Sequence, residues 1–274
     1  MVQAVEVPVR SLPAILLLSA LASALSAQQP QESGTQQEGG APVVTMRDGG
    51  VSETLQSIYI PPLLNAPFSA IVHTQWIRPL PEGGTYTVVN QRLVARDSRG
   101  RIYEERWLLV PKGSDVKSQM NVIQVADPSQ RTLYNCFTLV KPHRCMMLDF
   151  FESPTAIYKP DTGRTGALPN GKGSSTHEDL GIRTIAGVET TGTRDMTIIN
   201  AGVNGNDRPY SITREFWFAQ NIGINLLSEL SGPRIGKQIF TLTDVSFAEP
   251  DPALFELPDG YEVVDRRKSA PPAE

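Results

Sequence analysis

Between Phe68 and Phe247, apolar and β-branched residues come in short runs divided by turn residues. FSAIVHTQWI is followed by Pro81-Glu82-Gly83-Gly84, TYTVVNQRLVA by Asp97-Ser98-Arg99-Gly100, and RIYEERWLLV by Pro111-Lys112-Gly113. NVIQVA then meets Asp127-Pro128-Ser129-Gln130, and TLYNCFTLV meets Lys141-Pro142-His143-Arg144. Such short turns can only join antiparallel neighbours. The second half continues as GIRTIAGVETTG, TRDMTIINAG, YSITREFWFA, GINLLSEL and KQIFTLTDVSF. No stretch in this region sustains the i, i+3, i+4, i+7 spacing of an amphipathic helix. The pattern predicts a mainly β fold, a single curved antiparallel sheet of about ten or eleven strands, with one or two short helices. One helix is expected at residues 52–58 with Ser52 as N-cap, ended by Pro61-Pro62. The other is a single turn, ALFEL, started by Asp251-Pro252 and stopped by Pro258-Asp259-Gly260. It is expected to fold back onto the sheet through Leu254, Phe255 and Tyr261.

The first residues follow another pattern. Arg10 precedes the apolar run LPAILLLSALASAL, which ends in small residues and gives way to polar QQPQESGTQQEGG. Its 14 residues from Leu12 to Leu25 fall short of the roughly 20 needed to span a bilayer. Residues 1–27 therefore read as a signal peptide cleaved near Ala27, leaving a mature chain with no transmembrane segment in the periplasm or secreted. Residues 28–50 carry few large apolar groups and read as a disordered spacer. Residues 51–265 form the β domain, and 266–274 a disordered tail. The net charge is −4 with Lys and Arg scattered among the acids, which leaves no electrostatic footprint for nucleic acid or an anionic membrane surface.

Candidate chemistry is sparse. Cys136 and Cys145 flank the Lys141–Arg144 turn; in an exported chain the default reading is a disulfide, the rivals being two buried thiols or a redox or metal role. GALPNGKGSST, from Gly166, comes close to the phosphate loop G-x-x-x-x-G-K-[ST]. It carries Gly173 where the hydroxyl belongs, follows a polar segment rather than a buried strand, and breaks off at STHEDLG instead of opening a helix. It reads as a long surface loop over about residues 160–176, of a length that often serves as a lid. His73, His143 and His177 are isolated from one another, and no catalytic, metal or cofactor motif is present. Trp76, Trp107 and Trp217 are the candidate ligand-binding residues, against the alternative that each packs a core. EFWFA is apolar on both sides of its strand, as expected where one face meets a core and the other a cavity, or in a β-sandwich.

The ordered pieces ARDSRGR, the LG-x-x-x-I-x-G run from Leu180 to Gly187, GTRDMTI, AGVNGNDRPYSITREFW, SGPRIGKQ and PDPALFELPDGY resemble an uncharacterised family of secreted bacterial proteins over most of residues 66–264. More distantly, the meander ending in ALF-x-L-P-x-G-Y is similar to the periplasmic half-barrel superfamily of outer-membrane lipoprotein carriers and related regulators. That resemblance implies an open half-barrel whose apolar concave face holds acyl chains. The plug helices of the carriers have no counterpart in this sequence. The function implied is non-enzymatic binding of a lipid or other hydrophobic small molecule. The alternatives are an interaction or sensor module with an envelope protein partner, and a hydrolase with dispersed catalytic residues.

Overall fold

The structure, a computed structural model, describes residues 58–151 and 163–267. The signal peptide, the spacer, residues 52–57 of the expected first helix and residues 268–274 of the tail lie outside them. The alternating runs become β1 (Phe68–Pro79), β2 (Thr85–Arg96), β3 (Ile102–Trp107), β4 (Val110–Pro111), β5 (Met120–Asp127), β6 (Thr132–Phe137) and β7 (Arg144–Asp149). After the undescribed segment follow β8 (Gly166–Ala167), β9 (Gly173–Ile185), β10 (Val188–Ile199), β11 (Tyr210–Ala219), β12 (Ile224–Gly232), β13 (Gly236–Ser246) and β14 (Glu262–Asp265). Three of these fourteen, β4, β8 and β14, span two to four residues, too short to leave a pattern, which accounts for the excess over the expected number.

All the strands belong to one sheet, in the order β14-β7-β6-β5-β3-β2-β1-β13-β12-β11-β10-β9-β8, with β4 pairing to β2 off this path. β14 and β8 end the order without pairing to each other, so the sheet is open. Two pairings are long-range: β1 lies antiparallel to β13, joining the two halves of the chain, and β14 lies parallel to β7. The period-two alternation sets the faces. Phe68, Ala70 and Val72 of β1 lie opposite Arg96, Val94 and Arg92 of β2. The main core is built on this side, where Phe68, Val72, Val94, Ile102, Phe240 and Leu242 pack with Ile58 and Ile60 of the preceding segment. A smaller core on the other side holds Ala95, Tyr103, Val125 and Phe255. Phe255 comes from the expected turn, Pro252–Phe255, capped by the Asp251 carboxylate accepting from the amide of Ala253.

The sheet curves toward the main core. β2 and β12 are three spacings apart, about 14 Å on a flat sheet. Yet Arg96, at the end of β2, donates to the carbonyl of Ile222, just before β12, at 2.8 Å. The same guanidinium donates to the carbonyls of Ala66 and Pro61 and lies over the ring of Phe68. It is fully buried with no carboxylate partner among the described residues, and burial pulls its pKa down to about 10, leaving it charged at neutral pH.

Two expectations are corrected. GALPNGKGSST is no structureless loop: it holds β8, a 3-10 turn over Pro169–Gly171, and the start of the 13-residue β9. A strand follows the lysine where a phosphate loop would have a helix. The break between GIRTIAGVETTG and TRDMTIINAG also lies elsewhere, at Ala186-Gly187, both with positive φ (48° and 78°) as a tight hairpin requires. Gly192 sits inside β10 instead.

The cysteines are direct cross-strand neighbours on β6 and β7, as their spacing predicted, and form the disulfide Cys136–Cys145 with a Cα–Cα distance of 3.9 Å.

Candidate functional site

On the face opposite the main core, β1 and β2 set Ile71 beside Leu93, His73 beside Gln91, and Gln75 beside Val89. The chain after β3 folds back along β2: β4 pairs with Val88 and Val89, the Asn90 amide donates to the Trp107 carbonyl, and Ser118 Oγ donates to the Leu108 carbonyl. This raises a wall beside the floor. Between them lie two adjoining cavities of about 540 and 340 Å³ that share His73, Gln91 and Ser118. Ile71, Leu93 and Trp107 line the larger; Val89 and Val110 line the smaller. Together they form one groove of mixed apolar and polar lining, with Arg92, Glu105, Lys117 and Asp244 also bordering the larger cavity, in the size range of small-molecule sites. Asn90, which lines the smaller cavity, leaves its side-chain carbonyl oxygen buried without a partner among the described residues.

The three tryptophans are not brought to one cavity. Trp107 walls the groove, and its indole donates to Glu105 at 2.8 Å. Trp76, by the alternation along β1, lies on the main-core face. It donates to the carbonyl of Ile235 and carries the Arg78 guanidinium 4.8 Å over its ring. Trp217 lies on β11, between Gly192 and the Arg183 guanidinium at 3.9 Å, and donates to Glu215 at 2.7 Å.

Glu105, not singled out from the sequence, fixes Trp107. Its carboxylate accepts from the Trp107 indole, the Tyr103 hydroxyl and the backbone amide of Leu93. Burial, reinforced by this neighbouring carboxylate, pushes the Tyr103 phenol up, so it stays a neutral donor. The signal was present in YEERW: at every second residue, Tyr103, Glu105 and Trp107 share a face. Glu215-Phe216-Trp217 repeats the device. Partial burial acts to raise the Glu215 pKa, but the Trp217 indole and the Arg194 guanidinium outweigh it and hold the carboxylate below its usual range.

Gly192 is required by Trp217. A Cβ built there would lie 2.6 Å from the indole ring, closer than packed atoms approach. Gly192→Ala is therefore expected to displace the ring and cost about 1–3 kcal/mol by overpacking. A lowered thermal midpoint with shifted tryptophan emission checks this, whereas an unchanged midpoint and spectrum would show that the ring is not held.

A third cavity, of about 400 Å³, lies over β9, β10 and β11, lined by Arg164, Ser175, Asp195, Thr197, Ile212 and Arg214 together with Gly163. His177 borders it, with Nδ1 2.6 Å from Asp195 Oδ1. Serine, histidine and aspartate thus share one sheet face, but Ser175 and His177 are two residues apart on a strand, about 6.5 Å along it. The Ser175 hydroxyl makes no hydrogen bond to the imidazole, and the arrangement is an oriented imidazole rather than an activated serine. Among the described residues no cluster of three or more His, Cys, Asp or Glu forms a metal site, and no helix is long and apolar enough to cross a membrane.

The fold and groove define a class: an open, curved, single-sheet β protein with a cleft on the face away from its main core. No protein-family model and no curated protein matches the sequence. Among solved structures, the chain is similar to MucB at 14% identity and a TM-score of 0.36, covering 76% of this chain and 63% of that one. The chain therefore spans less than two thirds of the MucB structure. It is also similar to a DUF1329 family protein from Desulfovibrio piger, at 9% identity and a TM-score of 0.18, covering 70% and 90% of the two chains. A putative outer membrane lipoprotein-sorting protein domain from Vibrio parahaemolyticus matches at 8% and 0.18, covering 69% and 89%. A lipoprotein-sorting protein domain is thus among the solved structures to which the chain is similar. At these scores the similarity says nothing of ligand or partner.

Proposed function

We propose that this chain is an exported, non-enzymatic binding protein of the bacterial envelope that holds a lipid or acyl chain in the groove walled by Trp107. The groove itself carries the reading: Ile71 and Leu93 in the larger cavity and Val89 and Val110 in the smaller offer apolar surface on either side of the His73–Gln91 pair, with Arg92, Glu105, Lys117 and Asp244 completing the larger lining. The main-core face is filled by its own side chains, which leaves this face to receive a ligand. Affinity would come from apolar area removed from water, at about 25 cal/mol per Å².

Native mass spectrometry of protein purified from an envelope fraction is the direct test, and a bound lipid mass is expected. Trp107→Ala should weaken binding of a fluorescent fatty acid about tenfold, because an aromatic wall of this size contributes on the order of 1.5 kcal/mol. Trp76→Phe, on the other face, should leave it unchanged. A preparation free of lipid, together with a Trp107→Ala variant that binds the probe as well as the parent, would remove the basis for a carrier.

A second reading, an interaction module with an envelope protein partner, is favoured by one observation. Among the described residues, the outer edge of the 13-residue β9 is paired only near its start, by β8 at Ser174 and Ser175 and by the Leu168 amide on the Gly173 carbonyl, and Ile182 is 71% exposed. An extended segment of a partner would add there as a further strand. The register shift between Gly192 and Thr193, which leaves Leu180 extra on β9, and the charges of Glu178 and Asp179 blunt that edge. Crosslinking in cells separates the two readings by yielding either lipid or one dominant protein partner.

A further inference from the structure

We propose that the cavity over β9, β10 and β11 is a binding site for a phosphate group, carried by a small molecule or by a lipid headgroup. Two cross-strand rows form its floor. His177, Asp195 and Arg214 lie abreast on the three strands, and Ser175, Thr197 and Ile212 lie abreast beside them. Arg164, just before β8, adds a second guanidinium to the lining.

Neither Arg164 nor Arg214 has an ion-pair partner among the described residues, in contrast to several other arginines of the sheet. Arg92, Arg101, Arg144, Arg194 and Arg267 are each held by a carboxylate within 3.2 Å. Two unpaired guanidiniums converging on one half-enclosed cavity make an anion the complementary ligand. Asp195 does not cancel them. Its Oδ1 is taken up by His177, and one carboxylate faces two cations.

The donor set selects the anion. Guanidinium forks match the paired oxygens of a phosphate, and the hydroxyls of Ser175 and Thr197 supply single donors beside them. A carboxylate, with two oxygens, would leave part of this set unused. The 400 Å³ volume exceeds what a bare phosphate fills, and Ile212 gives the organic remainder an apolar contact. The site is separate from the Trp107 groove, shares no lining residue with it, and stands or falls on its own.

The test is calorimetric titration of the full chain at low ionic strength with inorganic phosphate and with glycerol 3-phosphate, and flotation with phosphatidylcholine vesicles with or without phosphatidic acid. Saturable phosphate binding is expected, weakened about tenfold or more by Arg214→Gln and by Arg164→Gln, since each removes a charge-assisted contact. The unfolding midpoint and fluorescent fatty acid binding should not change in either variant, because neither side chain has an ion-pair partner among the described residues and neither lines the Trp107 groove. Preference for glycerol 3-phosphate over vesicles would assign a soluble ligand, and the reverse a lipid headgroup. The proposal is overturned if no phosphate probe binds saturably, if both variants bind as the parent does, or if acetate binds as tightly as phosphate.

Discussion

Arg96→Met is expected to destabilise the fold by about 4 kcal/mol, the largest effect of any single substitution considered for this chain. Arg96 holds three strand-distant carbonyls, those of Ala66, Pro61 and Ile222, through four hydrogen bonds of 2.7–2.9 Å. Methionine fills much of the volume but donates nothing, so the Ala66 and Ile222 carbonyls lose their donor at roughly 1–3 kcal/mol each, while the Pro61 carbonyl keeps the Leu63 amide. Relief from burying a charge offsets part of this, which is why the expected net lies below the upper end of the sum. With a urea m value of about 2 kcal/mol/M, the midpoint should fall by about 2 M at unchanged m. Arg96→Lys should recover little, because one ammonium cannot span acceptors that a planar fork reaches from two sides. A midpoint shift below about 0.5 M for the methionine variant would mean that the segment before β1 and the turn before β12 are not pinned through this side chain.

Loss of the disulfide should have the next largest effect. The Cys136–Cys145 bridge closes a loop of about ten residues, so the double serine variant is expected to lose roughly 2.5–3 kcal/mol in the chain-entropy model. The loss should not be spread evenly. β7 is one strand from the end of the sheet order, and beyond it the margin is held by the four parallel pairs of β14, the exposed Arg144–Glu262 ion pair and the stacking of His143 on Tyr261. Hydrogen exchange should therefore speed up in β7 and β14 under reducing conditions before β1, β2 and β13 respond. Equal acceleration across the whole sheet, or none, would contradict this ordering.

Much of the fold could be read from the chain because it is local. Period-two runs with Asp, Gly and Pro between them set the hairpins. Asp251 ahead of Pro252 set the final turn. Two cysteines flanking a short turn set the bridge. Errors arose where a residue's role depends on a distant strand. Gly192 looks like a strand breaker until Trp217 is seen lying on it from β11. The glycines of GALPNGKGSST looked like a loop, although the strand they open pairs with β10 over its whole length.

The functional residues divide the same way. Trp107 was legible as a large aromatic on an alternating strand, but nothing in its neighbourhood said that it walls a groove while Trp76 and Trp217 serve other contacts. That depends on how the segment after β3 folds back along β2. Glu105 was written in the spacing of YEERW, and its three donors, one of them from β2, were not.

The sequence alone determined a mainly β chain of short antiparallel strands with one cross-strand disulfide, because alternation, turn chemistry and cysteine spacing act over a few residues. Only the tertiary structure decided that the strands join through β1 and β13 into one open curved sheet, that Arg96 is buried, that Trp107 borders a groove, and that Arg164 and Arg214 share a cavity. Those outcomes depend on which strands become neighbours and how far the sheet bends, and both follow from packing among residues far apart in the chain.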